Sequence, residues 1–406
     1  MNDQTRLFLK RRFMEYYKGH PVVAPPGISQ REWGFIFFDD LPDRSRPVQM
    51  HRHKSFNGAG ELNDYLRSTG PQHAYHSAAY YQYPQAPTML EKKWLGADLI
   101  FDLDADHLPN PPKSYPGMLE MVKREIIRLV DEFLMDDLGF IEKDMDIVFS
   151  GGRGYHVHIR DERVKTLKSP ERREIVDYIL GTGLNSDRIF TRATKIVEGF
   201  KGQKTAGVWQ IVGLGDDGQG YGWSRRTARY ISDRLADIGR LEDREAKKVL
   251  KKYQLDSRQM GDLLAISRSP AELDKIRREG RLEIKGNLKG FFKNMLDGTI
   301  EEFKVDVAGK ADEPVTSDIK RLIRLPGSIH GGTSFRVVPL TRKQLETFNP
   351  LEDAIIFGDE PVRVLALRPQ EVEIKGNIWR VSEGVGHLPE SVAMFLMCRG
   401  YAEYEP

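Results

Sequence analysis

The feature that most constrains this chain is the run Leu99-Ile100-Phe101-Asp102-Leu103-Asp104 together with the pattern that follows it. Successive side chains of a strand point to opposite faces, so Asp102 and Asp104 share one face while Phe101 and Leu103 take the other. Pro109, Pro111 and Pro112 mark a loop after this strand. Leu119, Val122, Ile126, Leu129, Val130 and Phe133 then recur at helical spacing between Gly117 and Leu138, and Gly139 supplies a stop. Ile147-Val148-Phe149 reads as a second strand and Tyr155 to Ile159 as a third, joined by the turn Ser150-Gly151-Gly152-Arg153-Gly154. This strand–helix–strand order predicts an α/β (α+β) core.

Two carboxylates this close repel unless something neutralises them, and oxygen ligands suit magnesium or manganese. A strand end turning into solvent is the plainer alternative, and the pair alone does not decide between them. Asp102, Asp104 and Asp106 imitate a calcium-binding loop, but His107 stands where that loop needs glycine and Lys113 where it needs glutamate. Phe101-Asp102-Leu103-Asp104 also resembles the haloacid dehalogenase-type phosphatases, with Asp102 as nucleophile, although Ala105-Asp106 follows where those enzymes usually carry Gly-Thr.

The glycine turn presents unhindered backbone N–H groups to an anion, and Ser150 and Arg153 add donors. His156 and His158 share a face beyond it, yet no neighbouring Cys or Asp completes a zinc site locally. Further on, Asp312-Glu313-Pro314-Val315-Thr316 precedes Arg324-Leu325-Pro326-Gly327-Ser328-Ile329-His330. Between Thr316 and Lys343 the cations Lys320, Arg321, Arg324, Arg336, Arg342 and Lys343 face Asp318 alone, a patch suited to a polyphosphate or template strand. A solvated helix face is the plainer reading of such a run. No Walker A loop and no Ser-His-Asp elbow is present.

The remaining segments organise around this core. Leu7, Phe8, Phe13, Met14, Tyr16 and Tyr17 predict an N-terminal amphipathic helix ending at Lys18-Gly19. A short strand is expected over Trp33 to Phe38, and Tyr80, Tyr81 and Tyr83 are expected to pack on strands rather than stack on bases. Ser169-Pro170-Glu171 starts a helix, and charged helical runs fill Arg226 to Leu282. The reading is a core split over residues 1–168 and 301–406 around a mostly helical insertion at 169–300.

Composition bounds the rest. With 62 Lys+Arg against 60 Asp+Glu in 406 residues, the net charge of +2 announces no polyanion partner. A single cysteine, Cys398, rules out an internal disulfide framework. No apolar run approaches the roughly 20 residues of a membrane span, and the polar opening lacks a signal core, so a cytoplasmic protein with no membrane partner is expected.

Taken in order, the three motifs resemble those of the catalytic (small) subunit of the archaeal and eukaryotic DNA primases, the archaeal form most closely. The family's paired aspartates match Asp102 and Asp104, its Ser-Gly-x-Arg-Gly-x-His matches Ser150 to His156, and its downstream aspartate, basic residue and histidine match Asp312, Arg324 and His330. Arg52, within Met50-His51-Arg52-His53, resembles a further nucleotide contact. Asp306 and Asp318 compete with Asp312, whose spacing to His330 and Glu-Pro-Val-Thr context fit better.

The resemblance implies a primase-type catalytic core of mixed sheets with flanking helices. It implies template-directed synthesis of short RNA (and DNA) primers on single-stranded DNA, from NTPs and dNTPs, within the replication machinery. Asp102, Asp104 and Asp312 would hold two Mg2+ or Mn2+ ions, and Ser150, Gly151, Arg153, Gly154, His156, Arg324 and His330 would grip the triphosphate. A large subunit carrying an iron–sulfur cluster would complete a heterodimer, since one cysteine leaves no such cluster in this chain. Many relatives carry a Cys/His zinc knuckle after the first motif; Asp106 to Gly117 offers only His107, so no structural zinc is expected. The alternatives are the phosphatase and a non-catalytic nucleic-acid-binding module.

Overall fold

The computed structural model describes residues 1–40, 48–108, 110–199, 202–214, 220–305 and 315–406. They form two compact units: Met1–Arg128 with Phe140–Val176 and Asp306–Pro406, and Leu129–Gly139 with Asp177–Val305. Among the described residues, no helix is long and apolar enough to cross a membrane.

The first unit is built on two four-stranded sheets. In one, Gly154–Ile159 lies between Leu99–Asp104 and Met145–Phe149 and is antiparallel to both, with Val338–Leu340 on the outer edge. The two flanking strands therefore run parallel, and the helix Tyr115–Arg128 belongs to the crossover between them, a split strand–helix–strand unit. Every ladder among the described residues is antiparallel, which makes the fold α+β.

The apolar stripe of this helix explains its position. Leu119, Val122 and Ile126 are buried, as are Phe101, Leu103, Tyr155 and Val157 on the adjoining strands. Burying each such side chain contributes roughly 1.5–3 kcal/mol. Beyond Arg128 the chain continues in π-helical register over Leu129–Asp137, and Gly139, at φ 66°, allows the left-handed exit.

The second sheet runs in the order Leu322–Arg324, His73–Ser77, Trp33–Ile36, His51–Lys54. Tyr80 and Tyr81, on Ala79–Tyr81, are buried as the strand-packing expectation required, whereas Tyr83 is exposed. The N-terminal helix spans Asp3–Gly19, but its buried face is Thr5, Leu9, Phe13, Tyr16 and Tyr17. Leu7 is exposed, because four-residue spacing from Phe13 selects Leu9 instead.

The second unit packs five main helices, Gly222–Gly239, Asp243–Leu250, Ser257–Ser267, Pro270–Glu279 and Lys289–Phe303, with a long hairpin of Phe190–Gly199 and Gly202–Ile211. Its core includes Leu235, Leu263, Phe291 and Leu296, and the Phe190 and Phe292 rings stack at 4.2 Å. Arg226 lies over the Phe133 ring at 3.9 Å and donates to Asp137 at 2.6 Å.

Candidate active site

The register of the central sheet sets Asp102 opposite His156 and Asp104 opposite Gly154. That approach requires glycine: a Cβ on Gly154 would sit 2.2 Å from the Leu103 carbonyl oxygen. Gly151, at φ +76°, tightens the turn beside His330, whose Cβ would lie 2.6 Å from an added methyl. Ser150 Oγ accepts from the N–H groups of Gly152 (3.2 Å) and Gly154 (3.3 Å), which fixes the loop from within. Tyr115 pins it from the helix side, donating its hydroxyl to the Gly152 carbonyl at 2.7 Å. Burial pushes the Tyr115 phenol up to about 12, so it stays a donor across the working pH range.

This turn is one wall of a cavity of about 450 Å³. Asp102, Asp104, Ser150, Arg153, His156, Arg324 and His330 line it together, although they come from segments distant in sequence. Gly151 and Gly154 shape the turn, while Gly152 is the glycine of this turn that reaches the lining. Arg52 is not brought there: its guanidinium donates to both Glu32 oxygens, at 3.0 and 3.2 Å. Asp306 and Asp312 lie outside the described residues. Asp318 is not among the lining residues and instead accepts from the Lys320 N–H at 2.9 Å.

Among the lining residues that had no place in the site as read from sequence are Tyr75, Arg321, Thr333 and Arg399. Arg321 was visible only as one cation in a basic run, and that run disperses. Lys320, Arg336, Arg342 and Lys343 do not line the cavity, and Arg342 pairs with Glu346 on its own helix. Arg399 follows the helix Glu390–Cys398 and rests over the Tyr115 and Phe395 rings at 4.7 Å. Nothing local in the sequence marks Arg399.

The electrostatics divide the cavity. Asp102 is ringed by His156 Nε2 at 3.4 Å and Arg321 at 3.7 Å, both beyond a short hydrogen bond. Asp104 Oδ1 accepts from the Asp106 N–H at 3.0 Å and faces Arg153 at 3.7 Å, while Arg153 turns its closest contact, 2.5 Å, to Asp106. The carboxylates thus retain oxygen lone pairs suited to a hard divalent cation. No third His, Cys, Asp or Glu completes a metal-holding group among the described residues.

Opposite them stand phosphate-type donors. Arg324 donates to His73 Nδ1 at 2.7 Å and lies over the Tyr75 ring at 5.1 Å. Burial lowers the pKa of His156, partly offset by Asp102. Burial and then the Arg324 charge hold His330 well below the usual histidine range. The Gly332 N–H donates to His330 Nδ1 at 3.1 Å, which leaves the proton on Nε2, at the face toward Gly152.

Paired carboxylates opposite phosphate-binding donors on an antiparallel sheet form the layout of a nucleotidyltransferase. Comparisons with known proteins narrow that class. A family model described as DNA primase small subunit matches residues 101–342. The chain is 65% identical over 407 residues to the DNA primase small subunit PriS of Methanocella arvoryzae, covering 100% of both chains. It is 45% identical to that of Methanococcoides burtonii, again over 100% of both, and 39% identical to that of Methanoregula boonei over 99% of this chain and 100% of the relative. The chain belongs to the DNA primase small-subunit family. It is the catalytic subunit of a DNA primase, a primer-synthesising nucleotidyltransferase, and the phosphatase and binding-module readings are not favoured.

Proposed function

We propose that the first unit is the catalytic core and that Asp102, Asp104 and Asp312 hold two divalent ions, Mg2+ or Mn2+, beside an incoming NTP or dNTP. The reaction joins the primer 3′-oxygen to the α-phosphorus and breaks the α–β phosphoanhydride, releasing pyrophosphate. Bound divalent ions supply activation of the hydroxyl and neutralisation of the leaving charge. Asp102 and Asp104 contribute anionic oxygens on one strand face, spaced by the pleat rather than by a flexible loop. Arg153, Arg321 and Arg324 receive phosphate oxygens, and neutral His156 and His330 donate without adding charge. Ser150 holds the glycine turn in shape by accepting from the Gly152 and Gly154 N–H groups, so that Arg153 is carried at a fixed place on the cavity wall. Arg52 serves the nucleotide only after releasing Glu32.

The partner in this reading is a primase large subunit bearing the iron–sulfur cluster, the template is single-stranded DNA, and the compartment is the cytoplasm. The observation that carries it is the convergence of carboxylates, arginines and neutral histidines on one cavity. The test supplies purified chain with single-stranded DNA, nucleoside triphosphates and Mg2+ or Mn2+, and scores both de novo synthesis and primer extension. Metal-dependent polymer that disappears in Asp102→Ala is expected. Phosphate-ester hydrolysis through a phospho-aspartate, without polymer, would reverse the assignment.

A further inference from the structure

In the second unit the helix Asp243–Leu250 and the turn after it carry Arg244, Lys247, Lys248 and Lys251. Their spacing of i, i+3, i+4 and i+7 places all four on one stripe. They line a groove of about 610 Å³ whose other side is the first turn of Ser257–Ser267, with Ser257 and Met260. All four cations are exposed, and none makes an ion pair or hydrogen bond among the described residues. Of the helix's two acids, Asp243 is taken by Arg268 at 2.7 Å, and Glu245 makes no ion pair with the four cations.

The neighbouring helix Pro270–Glu279 shows what this unit does with ordinary surface cations. Lys275 pairs with Glu283, Arg277 with Asp233, Arg278 with Asp274, and just beyond the helix Arg281 pairs with Glu279. Four like charges at adjacent helical positions repel one another and lower helix stability. An unpaired stripe around a groove, beside a stretch where every cation is matched, is an anion site waiting for its counter-charge. The four cations run about 10 Å along the helix at 1.5 Å per residue, so their flexible side chains can meet a short run of backbone phosphates.

We propose that this groove binds the phosphodiester backbone of single-stranded template DNA. The choice of template DNA rests on the primer-synthesis reading above; the anion-binding groove does not. Binding is sequence-independent, because the groove offers charge and no base-reading edge.

The experiment uses the full chain carrying Asp102→Asn, without nucleotides, and follows labelled oligothymidylate by fluorescence anisotropy across a salt series. The variant Arg244→Gln/Lys247→Gln/Lys248→Gln/Lys251→Gln is compared with a charge-matched control, Lys275→Gln/Arg277→Gln/Arg278→Gln/Arg281→Gln. The groove variant is expected to weaken binding by roughly tenfold or more and to lower the salt slope by about 3, from 0.7 per lost phosphate contact. The control is expected to change the slope by less than about 1.

Equal losses in both variants would mean net charge alone matters, and would overturn the proposal. A lowered melting temperature with an unchanged slope would overturn it as a structural effect. Loss of poly-glutamate binding with oligothymidylate binding retained would overturn it in favour of an acidic protein partner. Because binding is read in a synthesis-dead background, a wild-type chain that makes no primers would fail the catalytic reading, and with it the name of template, while the anisotropy series alone decides whether the groove binds single-stranded DNA.

Discussion

The two units differ in how much charge they bury. In the first, charge is buried: Arg31 and Asp98 pair at 2.8 Å with side chains 0% and 1% exposed, next to the strand that carries Asp102. His76 and His158 are fully enclosed beside them; His76 Nε2 and both ring nitrogens of His158 find no hydrogen-bond partner among the described residues. In the second, the interior is a broad apolar cluster and most cations lie at the surface, although Arg226 and Asp137 form a buried pair there as well. The contrast teaches where each unit's stability is at risk. Buried polar networks cost stability and persist where they set a geometry, whereas apolar cores mainly hold elements together.

The sharpest probe of the contrast is Asp102→Asn. It is expected to reduce kcat for primer extension by about 10³-fold or more while hydrogen-exchange protection of both units is kept. A variant that lost protection instead would make Asp102 a structural residue and erase the contrast. Next in size is Arg31→Met, which leaves Asp98 buried with the Tyr80 hydroxyl at 2.8 Å and only the more distant charge of Arg160 at 3.4 Å. A loss of about 3–5 kcal/mol is expected, read as hydrogen exchange in the strands of the first unit. Leu263→Ala is the counterpart in the apolar core, fully buried and expected to cost about 2–5 kcal/mol in the second unit's exchange with kcat for a primed template unchanged. A matching fall in kcat would show that the units act as one.

The smallest effect concerns pH. His73, His76, His158 and His330 all have pKa values held well below the usual range, by burial first and by nearby arginines or histidines second. The unfolded chain therefore binds more protons than the folded one below the unfolded histidine pKa of about 6.5. Stability is full above that value and declines as pH falls toward the lowered folded values. Exchange protection of the first unit is expected to drop between pH 8 and 5.5, with little change in the second unit. His158→Phe should flatten the slope, and an unchanged slope would mean these rings already carry charge when folded.

Much of the site was legible because its signals are local. The alternation that puts Asp102 and Asp104 on one face, the glycine turn after Phe149 and the helix stripe of Leu119, Val122 and Ile126 all follow from spacing of a few residues. The hairpin of Phe190–Gly199 and Gly202–Ile211 was not, because Thr, Lys, Gly and Gln interrupt any clean period of two. The basic run after Thr316 misled in a different way: counting cations along the chain could not tell that Arg321 and Arg324 face the cavity while Arg342 turns to Glu346.

By itself, the sequence determined the carboxylate strand, the anion turn and the order of the motifs, since these depend on backbone geometry over a few residues. Only the tertiary structure decided that Tyr75, Thr333 and Arg399 share the cavity and that Arg52 is engaged with Glu32. It alone matched the cations of Pro270–Glu279 with acids and left those of Asp243–Leu250 unmatched. The physical reason is that strand pairing and helix docking join residues far apart in the chain, and no local periodicity encodes which distant face will arrive.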